Sequence, residues 1–233
     1  MTVALATTAG ALAGPWVRAA VFRLSVPADA PERTTCPRCG FPLSPTVSCR
    51  CPSCRTRVAL SCGTTEVLTA ALLGSIALVA GPRPEVIAFA WLAVVCVALA
   101  TIDLLVYRLP DRLTLPTYPV LAALFTAAAL NAPERLFHAV LAALVLVVYY
   151  LLLALMKPGQ LGLGDVKLAG LLGMALGWMG WTAVLLATVL TFVLCGLTGL
   201  ALVVTRRVTL RSDLPLGPFM VYGTFVALFV TLG

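Results

Sequence analysis

The sequence predicts an all-α integral membrane protein of about eight transmembrane helices, with a small cysteine-rich cytoplasmic loop domain between helices 1 and 2. Three observations predict it. The chain is 61% hydrophobic and only 11% charged, with a mean hydropathy of +1.04, too poor in charge to cover the surface of a soluble domain. Its apolar residues fall into runs near the length of a bilayer crossing, about 20 residues. Its cations gather in alternate loops between those runs.

The apolar runs lie at about 3–23, 66–81, 85–107, 115–131, 136–156, 166–179, 181–204 and 215–232. Each should be helical, because hydrocarbon offers no partner to an open backbone. The first is interrupted by Pro15 and Arg18. Ala11-Leu12-Ala13 resembles a signal cleavage site, but no positive charge precedes the apolar stretch, so a retained first helix is expected. The sixth run is short and rich in glycine, which suits a tilted helix or one packed inside the bundle.

An even number of spans puts both termini on one side. The loops 24–65, 107–115, 157–167 and 205–214 then carry Arg33, Arg38, Arg50, Arg55, Arg57, Arg108, Arg112, Lys157, Lys167, Arg206, Arg207 and Arg211, against only Arg83 and Arg135 in the opposite loops. That asymmetry places the basic loops in the cytoplasm and the termini outside. It also accounts for the net charge of +7 without nucleic acid, since the charges lie between apolar runs and not along one amphipathic face. The expected organisation is a first helix at 1–23, a cytoplasmic loop domain at 24–65 and a transmembrane domain at 66–233.

The segment 24–65 is polar and proline-rich and holds six of the eight cysteines. Cys36-Pro-Arg-Cys39 and Cys51-Pro-Ser-Cys54 are two CxxC units, each a short turn able to aim two thiolates at one tetrahedral ion. A disulfide pair is the competing reading, and a reducing cytoplasm disfavours it. The pattern therefore predicts a structural four-cysteine Zn2+ site at Cys36, Cys39, Cys51 and Cys54, which would supply folding energy to a segment too small for a core. Cys49 and Cys62 are left over, and Cys49 could replace Cys51. Cys96 and Cys195 lie mid-span and read as small apolar residues. His138, at the outer end of the fifth run, reads as interfacial.

Two carboxylates stand out, because an ionisable group inside a span is costly and points to function. Asp103 lies near the cytoplasmic end of the third run and Asp165 at the cytoplasmic start of the sixth, in Gly162-Leu163-Gly164-Asp165. Each has a plain alternative: an ion pair with Arg108 or Arg112 for Asp103, and a helix N-terminus for Asp165. Together, at similar depth on one side, they suit a pair sharing one proton, in which the ionised member deprotonates water and the protonated member polarises a peptide carbonyl. Gly162 and Gly164 would leave room for a substrate backbone beside Asp165. Asp111 and Lys167 could help position that substrate.

The stretch Asp103–Thr114, with its Leu-Pro-Asp-Arg-Leu-Thr, and Gly-Leu-Gly-Asp-Val-Lys-Leu at 162–168 resemble the two signature regions of type IV prepilin peptidases, which are GxGD membrane aspartyl proteases. The double CxxC and Thr65-Glu66-Val67-Leu68-Thr69 are similar to further family segments. The resemblance implies an eight-helix protein of the bacterial inner membrane that cleaves leader peptides of prepilins or pseudopilins at the cytoplasmic face, with Asp103 and Asp165 as the catalytic pair. It also implies N-methylation of the new terminus from S-adenosylmethionine, associated with the cysteine region. The chain departs from the family in a weak first helix, where Phe22-Arg23-Leu24 is the only trace of the usual segment, in a short gap between CxxC units and in extra cysteines. Those departures bear on methyl transfer more than on proteolysis. An ion-coupled transporter would also use membrane carboxylates, but no internal repeat is present. A non-enzymatic assembly scaffold would explain the cysteines and leave Asp165 without a purpose.

Overall fold

A computed structural model describes residues 3–27, 30–43, 49–58, 60–156, 161–206 and 214–232. It contains eight α-helices and, among the described residues, no strand: α1 (Val3–Leu24), α2 (Thr64–Ala80), α3 (Val86–Val106), α4 (Asp111–Ala128), α5 (Pro133–Met156), α6 (Leu163–Met179), α7 (Trp181–Val204) and α8 (Gly217–Leu232). Lys157, Arg207 and Arg211, three of the loop cations, lie outside the described residues. α3, α5 and α7 are long and apolar enough to cross a membrane, whereas α2 and α8 are apolar but shorter.

The helices follow the apolar runs closely. The main difference is α4, which begins at Asp111, ahead of the apolar run at 115, and contains both Pro116 and Pro119. Pro110 at its N-cap is extended, as a residue with a fixed φ and no N–H can be at a helix start.

The chain divides into two compact units, Met1–Val106 and Tyr107–Gly233. In the first, α1 packs along α2 and both touch α3. Small residues let the α1 and α2 backbones approach: a Cβ on Gly10 would meet the Thr69 carbonyl oxygen at 2.6 Å, and one on Gly14 would meet the Glu66 Cα at 2.5 Å. The Thr69 hydroxyl donates to the Gly10 carbonyl at 2.6 Å. Close approach through glycine with a hydroxyl bond across the seam is the packing that lipid-embedded helices favour, since burial from water contributes nothing there.

In the second unit, α6 is the central helix and touches α4, α5, α7 and α8. Every residue from Leu168 to Trp178 is buried. Its glycines are consumed by that packing: a Cβ on Gly173 would lie 2.9 Å from the Ala142 oxygen, and one on Gly177 would lie 2.5 Å from the His138 oxygen. This is the physical reason for a short, glycine-rich sixth helix. α5 and α7 instead turn leucine and valine outward, as at Leu144, Leu152, Leu185 and Leu197, a surface suited to hydrocarbon and not to water.

Candidate functional site

The cysteine segment builds two turns on one plan. In the first, the Gly40 N–H donates to the Cys36 oxygen at 2.9 Å and the Cys36 N–H to the Phe41 oxygen at 2.8 Å. In the second, Arg55 donates to Cys51 and Cys51 to Thr56, each at 2.9 Å. The residue after each turn's last cysteine has a left-handed φ, 72° at Gly40 and 55° at Arg55. Glycine adopts that conformation freely and arginine does not. Leu43 and Val58 pack on Ala19 and Phe22, which seats the segment against α1.

These turns bring the four predicted ligands together. The sulfur atoms of Cys36, Cys39, Cys51 and Cys54 all lie within 4.8 Å of one another. Cys36 and Cys54 are 3.7 Å apart, and Cys39 and Cys51 are 3.6 Å apart. A tetrahedron of thiolates about 2.3 Å from zinc has edges of roughly 3.8 Å, so the spacing fits that ion. The amides of Arg38 and Cys39 lower the Cys36 thiol below its usual range. The Thr56 hydroxyl and amide pull Cys54 down to about 6. At Cys39 the Phe41 amide acts downward, but burial and the neighbouring cysteines outweigh it and raise the thiol to about 11. Two sulfurs thus favour the thiolate that a metal needs. Cys49 is not a member of the set: it forms a disulfide with Cys62, with Cα atoms 5.5 Å apart. The reducing-compartment reading did not anticipate that pairing.

Asp103 lies on the last turn of α3 and is 5% exposed, so it is a buried carboxylate of the first unit. Asp165 belongs to the second unit, in the first turn of α6, where it is partly exposed. Its Oδ2 accepts the Gly162 N–H at 3.2 Å, which ties the carboxylate to the start of its own helix.

Asp111 and Lys167, expected as separate positioning residues, meet at 2.6 Å, and both remain partly exposed. The Tyr118 hydroxyl donates to the Lys167 carbonyl at 2.6 Å, giving α4 a second hold on α6 two residues after Asp165. The two glycines before Asp165 differ. A Cβ on Gly164 would meet the Leu109 Cβ at 2.9 Å, whereas one on Gly162 would make only ordinary contacts, 3.5 Å from Oδ2 of Asp165. Leu109 therefore fills the space beside Gly164, and the open side of the motif is at Gly162. Cys96 is fully buried, in keeping with an apolar role, and His138 stands against the Phe137 ring.

One pair was not read from the sequence. Arg18 of α1 and Glu66 of α2 form an ion pair at 2.5 Å with side chains only 8% and 22% exposed. The other Glu66 oxygen accepts the Gly63 N–H at 3.1 Å and the Thr65 hydroxyl at 3.0 Å. The available signal was Arg18 itself, a cation in an otherwise apolar run, with Glu66 opening the next one.

The chain matches the type IV leader peptidase family over residues 90–200. It is 30% identical over 219 residues to a prepilin leader peptidase/N-methyltransferase of Aeromonas hydrophila, covering 89% of this chain and 73% of the relative. It is 27% identical over 260 residues to the protein of that name from Pseudomonas putida, covering 97% and 89%. A Bacillus subtilis relative of the same name is 26% identical over 206 residues, covering 84% and 80%. No solved structure matches the chain. The family match spans both Asp103 and Asp165, and on the likeness to these relatives over most of its length the chain belongs to the type IV leader peptidase family and is a peptidase.

Proposed function

We propose that this protein is a membrane aspartyl endopeptidase that removes leader peptides from prepilins or pseudopilins at the cytoplasmic face of the bacterial inner membrane. The observation that carries the reading is Asp103, a carboxylate buried at the end of an apolar helix, within a family match that also spans Asp165. In the proposed pair one aspartate carries a proton and the other is ionised. The ionised aspartate takes a proton from water, and the resulting nucleophile attacks the scissile carbonyl, which the protonated aspartate polarises. Collapse of the tetrahedral adduct breaks the C–N bond, and the proton passes to the leaving amine.

Eight membrane-spanning helices, with residues 24–65 as a cytoplasmic knuckle and 66–233 as the peptidase part, complete the reading. Gly162, Gly164, Asp111 and Lys167 form the frame beside Asp165, the Lys167–Asp111 pair bracing it and the open flank at Gly162 receiving substrate backbone. Cys36, Cys39, Cys51 and Cys54 would hold a structural zinc, which supplies folding energy to the knuckle and takes no part in hydrolysis. By the names of its relatives, the protein also N-methylates the new terminus, with S-adenosylmethionine as donor substrate.

The test is co-expression with a prepilin, scoring leader removal and methylation by mass. Asp103→Asn and Asp165→Asn should each lower cleavage by roughly a hundredfold or more, as loss of a general acid or base does. Expression and zinc content should not change. The double variant should be no worse than either single one, because the pair acts as a unit. Near wild-type cleavage by either single variant would sink the aspartyl mechanism.

A further inference from the structure

Within the first unit, a cavity of about 350 Å³ opens where the knuckle meets the ends of α1 and α3. Its wall combines two chemistries. Arg33 and Arg57 supply cations, and Phe22, Val58 and Leu105 supply an apolar face. Ser25 also lines it; that residue is 5% exposed, and its hydroxyl has no hydrogen-bond partner in the protein. A buried hydroxyl without a partner costs free energy, so its place on this cavity points to a ligand that bonds it. Hydrogen bonds fix the Arg33 main chain and the Arg57 guanidinium. The Arg33 N–H donates to the Arg23 carbonyl at 3.1 Å, and the Arg57 guanidinium donates to the Ser61 hydroxyl at 3.0 Å. Among the described residues, neither forms an ion pair with a carboxylate.

We propose that this cavity seats the phosphate of an anionic phospholipid, with the two guanidiniums and the Ser25 hydroxyl on the headgroup. Guanidinium forks match phosphate oxygens. The apolar face suits the glycerol and first acyl carbons. Leu105 closes α3, a helix able to cross the membrane, so the cavity lies where such a helix ends and headgroups lie, and basic pockets between helix ends bind lipid phosphate. S-adenosylmethionine is the poorer match, because its single carboxylate is outweighed by a sulfonium and an ammonium and two guanidiniums would face a net cation. The inference does not depend on the peptidase reading.

The full chain is placed in nanodiscs of equal phosphatidylglycerol and phosphatidylcholine, and native mass spectrometry counts retained lipid and zinc together. Phosphatidylglycerol should be retained in preference. Arg33→Ala with Arg57→Ala should weaken that retention about twentyfold or more, near fivefold for each cation. The Lys versions should keep most of it, and Arg83→Ala should keep all of it. Leu105→Trp narrows the cavity without touching charge and should also lower retention, so a folding loss in the Ala variant, visible as lost zinc, cannot rescue the idea. Wild-type retention by the zinc-loaded Ala pair or by Leu105→Trp overturns the proposal. Displacement of the lipid by inorganic phosphate at equal phosphate concentration, or by S-adenosylmethionine, also overturns it by assigning the cavity to a soluble ligand.

Discussion

Each unit contains an ion pair that joins two of its helices, and the two pairs sit in opposite surroundings. In the first unit, Arg18 and Glu66 are nearly buried between α1 and α2, with further donors on the glutamate. In the second, Lys167 and Asp111 join α6 to α4 at a similar distance but remain 36% and 55% exposed. Burial decides what such a pair does. A buried charge that loses its partner is left uncompensated in a medium of low polarity, so the pair locks the helices together. An exposed pair contributes little to stability and exchanges freely with solvent or a ligand. The first pair therefore reads as architecture, and the second is free to serve the proposed site.

The two units also differ in what else organises them. The first relies on polar fixtures: cysteine turns, an ion pair and a threonine bonded across a helix seam. The second relies on glycine and alanine contacts around α6, and its charges lie at the helix start. Loss of metal should therefore separate the two most sharply. If the four cysteines hold the proposed zinc, Cys36→Ser with Cys39→Ser should release it and with it roughly 10 kcal/mol or more of apparent folding energy in the knuckle. Limited proteolysis should then cut within 30–58 while the helices of 107–233 stay resistant. An unchanged digestion pattern would mean that the disulfide between Cys49 and Cys62, and not the metal, holds the segment.

Next in size is the buried pair. Arg18→Ala should cost about 3–5 kcal/mol by stranding Glu66, seen as a lowered unfolding midpoint in detergent. Arg18→Leu combined with Glu66→Leu should recover most of the loss. If the double variant is as unstable as the single one, the carboxylate's bonds to Gly63 and Thr65 matter more than its partner.

Packing around α6 comes third. Gly177→Ala places a methyl against the His138 carbonyl and should cost about 1–3 kcal/mol through overpacking. Gly162→Ala meets only ordinary contacts and should leave stability nearly unchanged, with any loss appearing in leader cleavage. Equal unfolding midpoints for the two variants would erase the distinction between packing glycines and the open glycine.

Of the two ion pairs, the exposed one should affect stability less. Lys167→Ala should change stability by less than about 1 kcal/mol, yet cleavage should fall, because the frame beside Asp165 loses its brace to α4. A variant that loses stability in proportion to activity would make this pair architectural like the first.

Much of this organisation could be read from residue order. Apolar runs gave eight helices to within a few residues because helical hydrogen bonds are local and hydropathy is a property of each segment alone. The expected start of α4 at 115 missed Asp111–Thr114, where polar residues continue the helix beyond the apolar stretch. The double CxxC marked its four sulfurs because each turn is closed by bonds five residues apart or less. Spacing favours Cys51 over Cys49, whose distance to Cys54 is less regular, and the partner of Cys49 on the loop before α2 decides it.

What the sequence determined by itself is therefore the local and the periodic: helix positions, the ligand turns, and the rarity of carboxylates in apolar surroundings. Tertiary structure decided which of those residues meet. Arg18 and Glu66 are 48 positions apart and Asp111 and Lys167 are 56, and no periodicity links residues at such separations. Gly164 and Gly162 look equivalent in the motif, yet one is filled by Leu109 and the other is open. That difference arises from the path of a neighbouring chain segment, which packing sets and a local pattern cannot carry.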